Sequence, residues 1–371
     1  MMSLGFLFIW TLVLCASGIY HSEGRRIVAV GDLHGDLNQT LSILRLTGLV
    51  NNRQHWIGGD TYFVQLGDIL DVGPDDLSIV RLFMKLEKEA RADGGDVIQL
   101  LGNHEIRNLM GDYRAVDPAS LANSGGKRGR DLLLSNKTAL GMYLRTRKAI
   151  FHHNQFLFMH GGLSTETGNM ITSIKKVEEF NDALCGALVN NTLTPMGKAG
   201  INLSEDDEDK VANPILVRSI LNVRCGELKN VLTKKFPGIK SVVVGHVPHD
   251  PEDFSDWRLC DGSLIAIDFG LSRWKKGDPG HVAALEIDDD SGHFLLLEST
   301  VDFHEFKPDI HSMTGADIRS SLPLIKLAGA VVGVIVVLGL LAMWMLSGLR
   351  VKSFLGEQHE SYGSMNPSAN V

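Results

Sequence analysis

Five short polar motifs, each placed directly after an apolar run, constrain this chain more than any other feature. Residues 27–30 lead into Gly31-Asp32-Leu33-His34-Gly35, and 62–66 into Gly67-Asp68-Ile69-Leu70-Asp71. Residues 97–101 lead into Gly102-Asn103-His104-Glu105, 156–159 into His160-Gly161-Gly162, and 241–244 into Gly245-His246. Short apolar runs bounded by turn residues read as buried strands. Residues 37–46 and 77–92 have helical spacing, and Asp36 is placed to cap the first of these helices. Alternation of strand, turn and helix predicts an α/β sheet. Ligands of such sheets gather at the carboxyl ends of the strands, where every motif here lies.

Beyond the motifs, 177–189 and 226–236 read as further helices, and 264–267, 282–287 and 294–298 join 241–244 as a second set of strands. Residues 111–147 look irregular, with Arg107, Arg114, Arg128, Arg130, Arg145 and Arg147 in or near them, and are expected as an insertion over the motif edge. The acidic run 204–210 reads as a solvated loop, because EF-hand spacing is absent.

Two segments fall outside this pattern. Residues 4–15 are apolar and precede Ala16-Ser17-Gly18, which predicts a secretory signal over 1–18, although Met1-Met2-Ser3 carries no basic residue. Residues 327–349 are uncharged and bracketed by Lys326, Arg350 and Lys352. A helix crossing the bilayer core needs roughly 20 such residues. The expected organisation is a folded domain over 26–300, a juxtamembrane stalk over 301–326, a transmembrane helix over 327–349 and a cytoplasmic tail over 350–371. This type I topology leaves the folded domain lumenal or extracellular. Cys185, Cys225 and Cys260 remain after signal removal, enough for one disulfide and one free thiol. Asn38, Asn136, Asn190 and Asn202 begin glycosylation sequons. The formal charge of −8 argues against a nucleic-acid partner, which calls for a basic face. The oligomeric state has no signature in the sequence.

The motifs bring three histidines, two aspartates and one asparagine to one sheet edge. Hydrolysis of a phosphate monoester must overcome the ester's negative charge and the weakness of water as a nucleophile. Two metal ions about 3.5–4 Å apart address both, by neutralising the phosphate and acidifying a bridging water. Asp68, with two carboxylate oxygens, is the expected bridging ligand. Asp32 and His34 lie two residues apart, so an extended strand end would point both at the first ion. Asn103, His160 and His246 would complete the second. This oxygen and imidazole set suits manganese, with iron or zinc as alternatives. His104, next to Asn103, is expected to protonate the leaving oxygen, with Asp71 holding its far nitrogen.

At these residues the chain resembles the metallophosphoesterase (calcineurin-like) superfamily, its phosphoprotein phosphatases and, most of all, the Shewanella-like protein phosphatases. The resemblance runs from about Arg26 to Glu298. Its anchors are Gly31-Asp32-Leu33-His34-Gly35-Asp36, Val64-Gln65-Leu66-Gly67-Asp68-Ile69-Leu70-Asp71, Gly102-Asn103-His104-Glu105, Met159-His160-Gly161-Gly162-Leu163 and Val243-Val244-Gly245-His246. It implies a four-layer α/β/β/α sandwich, two metal ions and phosphorylated proteins as substrates, with the metal and acid roles given above. Asp268-Phe269-Gly270 resembles a late family motif, in which Asp268 is expected to support rather than ligate. The family's second motif continues Asp-Arg-Gly, and that arginine grips the phosphate; here it is Asp71-Val72-Gly73. Arg218 matches a second phosphate-binding arginine of the family, and Arg107 is a further candidate, so compensation by another arginine is expected. Two other functions stay open: a diadenosine tetraphosphatase-like pyrophosphohydrolase, and a weakly active scaffold.

Overall fold

Short β-rich runs of Val, Ile and Phe build two five-stranded sheets in the computed structural model, which describes residues 24–163, 171–193, 213–248, 257–275 and 280–299. In the first sheet, β1 (Arg26–Val30), β2 (Tyr62–Gln65) and β3 (Asp96–Gln99) are parallel neighbours. The antiparallel hairpin of β9 (Val282–Asp288) and β10 (Phe294–Ser299) extends it beyond β1. The second sheet has the order β4-β5-β6-β8-β7. There β5 (Phe156–Met159), β6 (Ser241–Val244) and β8 (Leu264–Ala266) are parallel. The edges are antiparallel: β4 (Ile150–His153) beside β5 and β7 (Arg258–Leu259) beside β8.

Alternating side chains explain how the sheets face each other. Phe156 and Phe158 of β5, Val243 of β6 and Ile265 of β8 enter the core shared with the first sheet. Their neighbours Leu157, Met159, Val242, Val244 and Leu264 enter a second core. A strand period of two sends successive residues to opposite faces, so β5 and residues 242–244 of β6 are apolar throughout because both faces are covered. The first core also takes Ile43 and Leu44 of α1 (Leu37–Leu46) and Ile79 and Phe83 of α2 (Asp76–Ala92). The second takes Val177 and Leu184 of α7 (Ile174–Val189) and Leu228 and Leu232 of α8 (Cys225–Lys235). Asp36 caps α1 by accepting from the Gln39 amide at 3.1 Å, as its position before the apolar repeat predicts.

Residues 111–147 are more regular than expected. After α3 (Asn103–Leu109), they contain α4 (Pro118–Asn123), α5 (Gly126–Leu133) and α6 (Ala139–Arg145). Each is six to eight residues long, too short for a periodic apolar face to stand out. Asp117 and Thr138 cap α4 and α6 through their side chains. Cys225, at the start of α8, is disulfide-bonded to Cys260 after β7, and Cys185 is free. Of the sequon asparagines, Asn38 and Asn190 are exposed and Asn136 is half-buried, donating to Val189 O at 2.9 Å. The signal segment, the acidic run, Asn202, the stalk, the membrane segment and the tail lie outside the described residues. Among the described residues no helix is long and apolar enough to cross a membrane.

Candidate metal centre

Strand register brings the motif loops level. Val30 pairs with Gln65 and Gln65 with Gln99, so the loops after β1, β2 and β3 leave the sheet at one height. In the second sheet Met159, Val244 and Ala266 are in register, which aligns His160, His246 and Asp268 in the same way. The fully buried Gln65 side chain links the first two loops, donating to Gly31 O and Gly67 O at 3.1 and 2.6 Å. A Cβ on Gly35 would collide with the backbone of Gly73, so these loops can meet only with glycine there.

The loops carry strained backbone. His34, Asp68, Asp71, Val72 and His246 all have positive φ, at 39°, 58°, 71°, 66° and 69°. For a β-branched residue such as Val72 this is a true outlier. Such conformations cost of order 1–3 kcal/mol each and persist where surrounding contacts over-determine them. Glu105 supplies many of those contacts. Its buried carboxylate accepts from the amides of Asp68, Ile69, Leu70 and Gly102 at 2.7, 2.8, 3.0 and 2.8 Å. The extended strand end expected to aim Asp32 and His34 is absent at His34. The Leu33 and His34 amides both donate to Asp68 O at 3.0 Å, which curls the loop. The two side chains still converge, with His34 Nε2 3.6 Å from Asp32 Oδ2.

All six expected ligand side chains meet in one buried cluster, none more than 6% exposed. Asp68 Oδ2 stands at its centre, 3.9 Å from His34 Nε2 and 3.2 Å from His160 Nε2. Asn103 Oδ1 is 3.0 Å from His160 Nε2. The His160 and His246 rings lie 4.6 Å apart, and donor atoms of Asp68, His160 and His246 fall within 4.8 Å of one another. Donor atoms of His34, Asp68 and His104 form a second such group. His160 Nδ1 is 3.0 Å from Leu66 O, which turns Nε2 inward.

Electrostatics favour cations here. Burial, with His160 beside it, pushes His246 down to about 2, and burial takes His34 down to about 3 against the pull of Asp68. Both rings are therefore neutral at pH 7, the form that offers a lone pair to a metal. Burial, reinforced by Asp268, raises Asp32 well above the carboxylate range. His246 Nε2 and Asp268 Oδ2 are buried without a hydrogen-bond partner. A buried acceptor without a donor, among acidic neighbours, fits a site completed by bound cations.

His104 lies beside the cluster with its Nδ1 2.7 Å from Asp71 Oδ2 and its Nε2 3.8 Å from Asp68 Oδ2. Burial opposes its charge, but Asp68 and Asp71 outweigh burial and raise it to about 9. Behind Asp71 lies a network the sequence did not announce. Asn108 donates to Asp71 Oδ1 at 2.7 Å and accepts from Arg130 Nε at 2.7 Å. Fully buried Arg130 also pairs with Asp76 at 2.6 Å and donates to Ser120 Oγ at 3.0 Å. Asn108 follows His104 by four residues on α3, a same-face spacing visible in the sequence. Arg130 is one arginine among many in its stretch, and nothing local singles it out.

Of the expected phosphate-binding arginines, Arg218 lies at the cluster, with Nη1 donating to His246 O at 3.4 Å. Arg107 lies 3.6 Å from Asp112 through Nε. Val72 is half-buried, and its amide donates to Ala115 O at 3.0 Å.

Residues 25–250 match the family model described as calcineurin-like phosphoesterase. The chain belongs to the calcineurin-like phosphoesterase family. It is 25% identical to the Shewanella-like protein phosphatase 2 of Arabidopsis thaliana over 81% of this chain and 83% of that protein. It is 27% identical to the Shewanella-like protein phosphatase 1 of Plasmodium berghei over 71% of this chain and 72% of the relative. Among solved structures, its fold is similar to that of a cold-active protein-tyrosine phosphatase of a Shewanella species, with a TM-score of 0.58 and 23% identity over 74% of this chain and 80% of the other. This phosphoesterase is a hydrolase of a family built around a dinuclear metal site, and the buried cluster holds its candidate ligands.

Proposed function

We propose that this phosphoesterase removes phosphate from phosphoproteins by metal-assisted hydrolysis, with Asp32, His34, Asp68, Asn103, His160 and His246 as the metal ligands. The observation that carries the proposal is the gathering of the other five around Asp68, with the His104–Asp71 pair at their side. The two Shewanella-like relatives, matched over most of their length, support a phosphoprotein substrate. The oxygen and imidazole donor set suits manganese, iron or zinc. Two such ions, when bound, neutralise the phosphate and lower the pKa of the attacking water.

The side chains do the rest. Asp71 accepts from His104 Nδ1, which leaves the proton on Nε2 facing the cluster, positioned for the leaving oxygen. Arg218, at the rim above His246, binds phosphate oxygens. Arg107, close to Asp112, is the lesser candidate. The Cys225–Cys260 disulfide supports a lumenal or extracellular domain, because such bonds persist in oxidising compartments. The signal segment 1–18 and the apolar run 327–349 support a type I membrane anchor.

A second reading, a dinucleoside polyphosphate hydrolase, has one observation in its favour. The chain is 30% identical to a symmetrical bis(5'-nucleosyl)-tetraphosphatase of Nitrosomonas europaea, over 36% of this chain and 44% of that enzyme. The deciding experiment incubates the full chain in detergent with a phosphotyrosine peptide, a phosphoserine peptide and diadenosine tetraphosphate, with and without manganese. Metal-dependent release of phosphate from a peptide is the expected result. Cleavage of the dinucleotide alone would overturn the phosphoprotein reading.

A further inference from the structure

The second loop carries Val72 where the resembled family has a phosphate-gripping arginine, so Arg218 faces the substrate's phosphate with one cation fewer beside it. The segment after β8 provides one. Ser272 Oγ donates to His34 O at 3.2 Å, and the Trp274 amide donates to Ser272 Oγ at 3.2 Å. Arg273 clamps Asp36 through its backbone amide and guanidinium, at 3.0, 3.0 and 2.9 Å. These bonds pin the segment onto the first metal motif and fix where the next side chain, Lys275, can reach.

Lys275 Nζ lies 3.9 Å from Asp268 Oδ2, with the side chain 34% exposed. That contact is an ion pair at its outer limit, and Asp268 Oδ2 has no hydrogen-bond partner. The ammonium accordingly makes no hydrogen bond among the described residues and keeps its donors for a ligand. A partly exposed ammonium, spare donors and a short tether to the first metal motif are the properties of an anion-binding side chain.

We propose that Lys275 binds the substrate's phosphate and takes over the charge that position 72 lacks. This rests on the phosphatase reading above. An ammonium supplies a point charge without the planar fork of a guanidinium. Lys275 therefore attracts and holds the phosphate but orients it less, and its loss falls on binding more than on turnover.

The test compares the full-length protein with Lys275→Gln, Lys275→Arg and the double variant Lys275→Gln/Val72→Arg, each loaded with manganese. The measurements are bound metal by elemental analysis, kcat and KM on para-nitrophenyl phosphate, and the Kd of inorganic phosphate by calorimetry. Loss of one charge-assisted contact predicts that Lys275→Gln weakens phosphate binding and raises KM by about tenfold, with metal content and kcat near wild type. Lys275→Arg should keep the wild-type KM, and adding Val72→Arg should restore it. A Lys275→Gln protein that binds phosphate as tightly as wild type would overturn the proposal. So would one that loses metal, because Lys275 would then only balance the charge of Asp268. If the wild type turns nothing over, the phosphatase reading falls, but the calorimetric comparison still decides whether Lys275 holds phosphate.

Discussion

The domain contains two buried polar clusters side by side, and they are completed in opposite ways. Around Arg130 every charge has a partner inside the protein: the guanidinium reaches Asn108, Ser120 and Asp76, and Asn108 passes the contact to Asp71. Around Asp68 the carboxylates of Asp32, Asp68 and Asp268 are equally buried, but His34 and His246 are held neutral and two acceptor atoms have no partner. The first cluster is self-sufficient and works as a brace. The second leaves His246 Nε2 and Asp268 Oδ2 without a donor, which fits completion by bound cations. Burial alone therefore does not mark function; uncompensated burial does.

Breaking the incomplete cluster should have the largest effect. Asp68→Asn removes the side chain on which the others converge. Turnover of a simple phosphate ester should fall by about a thousandfold, with reduced metal content and a folded protein by circular dichroism. Near-normal turnover would place the centre elsewhere.

Breaking the self-sufficient cluster should act on stability instead. Arg130→Met leaves Asp76 buried without its cation, which should cost about 3–5 kcal/mol in denaturant unfolding. The loss should be the same with and without metal. A loss seen only in the metal-loaded protein would mean that the two clusters are one unit.

Metal removal sharpens the contrast at smaller magnitude. At 100 times its dissociation constant, manganese should stabilise the wild type by about 2.7 kcal/mol in thermal unfolding. Asp68→Asn should lose most of that gain, whereas Arg130→Met, if folded, should keep it. Equal metal stabilisation in both variants would erase the distinction.

The smallest effect belongs to an exposed pair near the brace. Hydrogen bonds from Arg114 hold Asp112 down at about 2, below the usual carboxylate range. A depressed carboxylate contributes stability above the unfolded pKa and loses it as pH falls through the folded one, so the window is pH 4 to 2. Arg114 is 78% exposed, and solvent screening limits the contribution to about 0.5 kcal/mol. Comparing the unfolding of Asp112→Asn with wild type at pH 6 and pH 2 checks this. A difference that survives at pH 2 would rule out the charge as its source.

Much of this was readable before any coordinates. Strand runs and the turn residues after them are local signals, so β1, β5 and β6 appear within a residue of where the apolar pattern puts them. The pairing of Asp71 with His104 followed from the motifs alone, although 33 residues separate them. The three short helices of the insertion stayed hidden, because six to eight residues give no clear period. The curled backbone at His34 was hidden for another reason: it depends on the Asp68 carbonyl, which belongs to a different strand end.

Sequence by itself determined the sheet edge, the six converging side chains and the His104–Asp71 pair, because glycine turns and strand periodicity act over a few residues. Tertiary structure alone decided that Arg130 braces Asp71, that Cys225 joins Cys260, and that Arg273, two residues before Lys275, clamps Asp36. Each of these contacts joins side chains that are distant in the chain and ordinary in local context. Only the packing of helices and loops around the two sheets brings them within reach.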